Sequence, residues 1–158
     1  MRVANEFNWT WTSDDLPAFC ERTGWQLTEN ERGELTLATN LEVNRGDVWL
    51  SLGDGIERGA ARVINRIAFR VSDVVLDRPD LRPEFDKVFD AIAQRVFEVL
   101  GQRPTRWWVD PSRGLRWDMP NLVVTTTMTV SSVYVHIISP AHQRWNDEND
   151  ASLERGND

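Results

Sequence analysis

Residues that announce chemistry are scarce in this chain. One cysteine, Cys20, excludes an internal disulfide framework and reads as a small buried hydrophobe among apolar neighbours. Two histidines, His136 and His142, together with that cysteine fall short of the three or four nitrogen and sulfur ligands of a usual zinc site. Neither histidine has a companion motif that would make a Ser, Cys or Thr nucleophile. No apolar run approaches the roughly 18 residues needed to span a bilayer, and the first residues lack the apolar core of a signal peptide. A cytoplasmic protein is therefore expected. Positive charge is also short. A net charge of −7 argues against nucleic acid, whose affinity rests on phosphate neutralisation, and fits a basic protein partner better.

What is present is an ordinary globular composition, 41% hydrophobic and 27% charged over 158 residues, enough for one domain with a full core. Eight tryptophans are notable in this length; most are expected in the core, and Trp is also enriched at binding hot spots.

The strongest periodic segment runs from Asp80 to Leu100. Leu81, Phe85, Val88, Phe89, Ile92, Val96 and Leu100 recur at three-and-four spacing, Pro83 suits a first turn, and Gly101 suits the left-handed residue that ends a helix. A shorter helix is expected from about Asp14 to Arg22, closed by Gly24. Strands are expected from Trp25, over Glu34 to Thr39 and over Asp47 to Leu52, where Val48, Leu50 and Leu52 point inward and Trp49 outward. Residues 56–68 fit either a helix or a strand; β-branched content favours the strand, with Arg62, Arg66 and Arg70 projecting from the face away from the core. Trp107-Trp108-Val109 and Leu115-Arg116-Trp117 flank a loop, and Leu122 to Ser139 reads as a terminal hairpin. The sum is an α+β fold: one antiparallel sheet of six to seven strands, one long helix on one face and a short N-terminal helix. The domain is expected over 1–142, with 143–158 an acidic, flexible tail anchored only by Trp145.

Two motifs dissolve on inspection. Gly53-x-Gly55-x-x-x-Gly59 has one residue too many for a dinucleotide fingerprint and reads as a hairpin loop. Asp73, Asp77, Asp80, Glu84 and Asp86 lack the spacing of a calcium loop, and charges at a helix start account for the last three. No enzyme, cofactor or metal is expected. Candidate partner-binding residues are the loop acids Asp54, Asp73, Asp77 and Asp110 with the adjacent Trp107 and Trp108, which in an extended chain point to opposite faces. Arg62, Arg66 and Arg70 form an alternative face for an anionic ligand.

Trp9-Thr10-Trp11-Thr12, Asp15-Leu16-Pro17 and Gly24-Trp25, with Leu100-Gly101, Pro104-Thr105 and Trp117 before a terminal hairpin, resemble a small actinobacterial family of unknown function (6301-like). The same closing half is similar to single-domain immunity proteins of polymorphic toxin systems. That resemblance implies a binding protein that occludes a cognate toxin and needs no chemistry of its own. The rival expectations are a secretion chaperone or adaptor for an exported effector, and a binder of small anions.

Overall fold

The computed structural model describes residues 1–53 and 60–155. Its frame is one antiparallel sheet of eight strands in the order β1-β2-β3-β4-β8-β7-β6-β5. The strands are β1 (Gln26–Glu29), β2 (Leu35–Ala38), β3 (Asp47–Leu52), β4 (Ile64–Arg70), β5 (Arg106–Trp108), β6 (Arg113–Asp118), β7 (Val123–Met128) and β8 (Val133–Ile138). Among the described residues four α-helices accompany it: α1 (Arg2–Glu6), α2 (Leu16–Thr23), α3 (Arg82–Leu100) and α4 (Pro140–Arg155).

The long helix forms where its apolar spacing puts it. Phe85, Phe89, Val96 and Leu100 are buried, each contributing roughly 1.5–3 kcal/mol of apolar burial. Gly101 ends it at φ 69°, its N–H returning to the Phe97 carbonyl, and Gly24 ends α2 in the same way at φ 73°. The helix starts at Arg82, two residues after Asp80. A 3-10 turn over Pro79–Leu81 leads in, and Pro83 occupies the first turn. On the sheet, Leu50, Ile67, Ile137, Val124 and Trp117 face the helices along one line of register. Phe85 and Phe89 pack with Met128 and Val133 as a second apolar cluster toward the start of α3.

Three expectations need correction. The sheet has eight strands, not six or seven, because a tight turn lets Arg106–Trp108 fold back on Gly114–Arg116 as a strand of its own. Residues 56–68 are not one long strand: β4 begins at Ile64, and 54–59 lie outside the described residues. Opposite Ser51 and Leu52 stand Arg66 and Ile64, so Asn65 is an extra residue, a bulge that turns Ile64 into the core. The stretch read as a frayed tail is helical from Pro140 to Arg155. It lies on the sheet face opposite α3, where Asp147 accepts two hydrogen bonds from Arg116, at 2.7 and 2.8 Å. That pairing holds the Asp147 carboxyl below the usual carboxylate range, and the Arg116 side chain beneath it is only 10% exposed.

Candidate functional site

The loops that follow β2, β4, β5 and β7 all emerge at one end of the sheet, where α3 also begins. Between the loops after β2 and β4 and the start of α3 lies a cleft of about 330 Å³. Val43, Val71, Val75, Leu81, Phe85 and Val88 make its apolar lining, and Glu42, Asp73 and Glu84 supply carboxylates. One wall is fixed by Asn44. Its backbone N–H donates to Asp73 Oδ1 at 2.7 Å, its side-chain amide donates to the Val74 carbonyl at 2.9 Å, and its Oδ1 accepts from the Val74 N–H at 2.8 Å. Three bonds from one residue tie the 39–46 loop to the 71–78 loop, so the cleft is preformed.

Charge at this end is unbalanced. Arg45 and Arg70 are taken by Asp47, Arg78 by Asp80, Arg82 by Asp86, Lys87 by Glu84, and Arg113 by Asp86 and Asp90. Among the described residues Glu42, Asp73, Asp77 and Asp110 form no ion pair. An apolar lining beneath uncompensated carboxylates suits an apolar anchor flanked by Lys or Arg.

The acids and tryptophans singled out in the sequence divide into two patches. Asp73 lines the cleft, and Asp77 stands in the same loop at φ 56°. Trp107, Trp108 and Asp110 sit at the β5 edge, four strand spacings from β4, or about 19 Å. Asp54 lies outside the described residues; Gly53, just before it, is at the opposite end of the sheet. Trp107 is 72% exposed, whereas Trp108 is half-buried over Gly114. Trp145 stacks on His142 with ring centroids 5.7 Å apart. A Cβ at Gly114 would stand inside the van der Waals envelope of the Trp108 ring. Gly114→Ala is therefore expected to displace that ring and cost about 1–3 kcal/mol, read as a lower urea midpoint with an unchanged slope.

The arginine row is shorter than the sequence suggested. Arg66 and Arg70 project from the face opposite α3, but the bulge at Asn65 takes Arg62 out of register. Arg62 precedes β4 and donates through Nε to the Gly53 carbonyl at 3.2 Å. The cleft lies on the helix side, not on this face.

Glu42 and the cleft roles of Leu81, Phe85 and Val88 were not singled out for binding by the sequence reading. Phe85 and Val88 belong to the helix's apolar stripe, and only the approach of the 39–46 loop makes part of that stripe a cleft wall. Among the described residues no three His, Cys, Asp or Glu side chains group as a metal site, and no helix is long and apolar enough to cross a membrane.

The architecture is thus an α+β domain with an antiparallel sheet, the long helix α3 on one face, α4 on the other and a preformed cleft at one end. The chain belongs to a family of unknown function (DUF6301), whose model matches residues 1–139, ending just before α4. No match was found among curated proteins or among solved structures.

Proposed function

We propose that this chain is a non-enzymatic binding protein that seats a basic, folded partner on its acidic end, most specifically an immunity protein that neutralises a cognate toxin by covering its active site. The observation that carries this reading is the cleft, whose apolar lining is rimmed by Glu42 and Asp73, neither of which forms an ion pair among the described residues. An apolar side chain of the partner fills the cleft while flanking Lys or Arg groups meet the carboxylates. Burial of the anchor supplies affinity, and the charges supply on-rate and discrimination.

The test is affinity capture of the tagged chain from its native extract, followed by titration of the captured partner. Glu42→Lys is expected to weaken binding about tenfold or more and to leave thermal unfolding nearly unchanged, because the Glu42 carboxylate supports no ion pair among the described residues, whereas Asp73 holds the Asn44 N–H and is left in place. Undiminished affinity in that variant contradicts the use of the cleft.

A second reading, a secretion chaperone or adaptor for an exported effector, draws on the three-residue edge strand β5 with exposed Trp107 and Val109 beside it. An open edge accepts an extended segment by strand addition. That reading predicts a stable homodimer and an unfolded client, in place of a folded partner bound at the cleft.

A further inference from the structure

The sheet face opposite α3 carries several arginines, and their electrostatic situations differ. Arg70 donates to Asp47 at 3.0 Å and to the Tyr134 hydroxyl at 3.1 Å. Arg116 is held by Asp118 and Asp147. Arg66 stands beside them on β4 with no carboxylate partner among the described residues, and its Nε–H is buried without an acceptor. Arg66 as a whole is half-buried, and it is the Nε–H that is cut off from water; a buried donor without an acceptor is an energetically open position.

Its surroundings are aromatic. The guanidinium carbon lies 5.0 Å from the ring centroid of Trp49, a residue 67% exposed to solvent. His142, at the start of α4, lies within the field of Arg66, and its ring stacks on Trp145, which is 59% exposed. His142 and His136 are both held below the ordinary histidine range, by burial first and by the Arg66 charge second, so neither adds a competing positive charge at neutral pH. Among the described strand residues of this face, Arg66 is thus a cation without a carboxylate partner, with the flat apolar surface of Trp49 beside it on β3.

We propose that Arg66 and Trp49 form a binding site for a small aromatic anion, an aryl carboxylate or aryl phosphate. The oxyanion pairs with the guanidinium through charge-assisted hydrogen bonds, and the ring packs against exposed indole. The site is independent of the partner surface proposed above, because the cleft lies on the other side of the sheet. It also singles out one arginine, since Arg70 is already neutralised by Asp47 and Arg62 lies outside the strand.

Titration of the full chain with phenyl phosphate, benzoate, inorganic phosphate and acetate, followed through the indole N–H resonances, tests the assignment. The aryl anions are expected to shift the resonance that Trp49→Phe removes and to bind more tightly than inorganic phosphate or acetate. Arg66→Gln is expected to weaken them about tenfold or more, while Arg70→Gln leaves them bound. Trp49→Ala is expected to remove the preference for the aryl anions over the simple ones. Equal affinity in Arg66→Gln, equal affinity for phenyl phosphate and inorganic phosphate, or no saturable shift at millimolar ligand would each overturn the proposal.

Discussion

Asp15→Ala is expected to remove about 3 kcal/mol of stability, lowering the melting temperature by about 6–12 °C. Asp15 is 8% exposed, and its carboxylate is fully engaged. Oδ2 accepts from the N–H groups of Thr10 at 3.0 Å and Trp11 at 2.8 Å, and Oδ1 accepts from the Thr10 hydroxyl at 2.8 Å. Trp11 needs that support. Its φ of 59° is a conformation a bulky residue rarely adopts, and it is the point from which the N-terminal segment reaches the sheet. From there the Trp11 carbonyl accepts from Ile64 N–H at 2.8 Å, Ser13 N–H donates to Arg62 at 2.7 Å, and the Trp11 indole donates to Asn121 at 3.0 Å. Trp9 and Trp11 stack 4.7 Å apart, and Trp9 meets Phe19 in turn. Removing the carboxylate leaves two backbone donors without an acceptor and the left-handed Trp11 unsupported. Asp15→Asn, which keeps an acceptor, should lose roughly half as much. Thermal unfolding and the near-ultraviolet signal of the stacked indoles read the effect; a loss of under about 0.5 kcal/mol for Asp15→Ala would show that the strained turn does not depend on it.

The second large effect is set by pH. Burial first, and the charge of Arg66 second, push His136 down from 6.5 to about 4. Between those values the unfolded chain holds a proton on this residue that the folded chain does not. Stability from this source is complete above about pH 6.5 and falls as the pH drops toward about 4, by up to about 3 kcal/mol. His142 is depressed by the same two causes and adds in the same direction. Asp47, held down by Arg45 and Arg70, and Asp147, held down mainly by Arg116, lose their contribution at lower pH, so the histidine window stands apart. Urea midpoints taken across the range should fall from pH 6.5 to 4 in the native chain. The decline should be much shallower in His136→Gln. Parallel curves for the two proteins would place the ring in water in the folded state.

Local signals carried much of the architecture. The α3 stripe, the glycines at 24 and 101 and the terminal hairpin are readable because each depends on spacing within a few residues. What was not readable depends on distant partners. The bulge at Asn65 exists only in the register between β3 and β4, and it decides that Arg66 and Arg70 share a face while Arg62 does not. The helix α4 carries no strong apolar stripe, and the Arg116–Asp147 pair that holds it joins positions 31 apart in sequence. The cleft is less legible still. It joins Glu42 and Val43 to residues 71–75 and 81–88, and of the acids taken as partner-binding candidates only Asp73, among the described residues, lines it, because loop composition shows where charge is plentiful but not where its counter-ions lie.

The most direct test of the binding account is hydrogen exchange on the complex captured with its partner, compared with the free chain. The amides of the 39–46 and 71–81 loops, which flank the cleft, are expected to slow strongly on binding, together with the first turn of α3. Slowing confined to the β5 edge, or no change at the cleft in a stoichiometric complex, would contradict it.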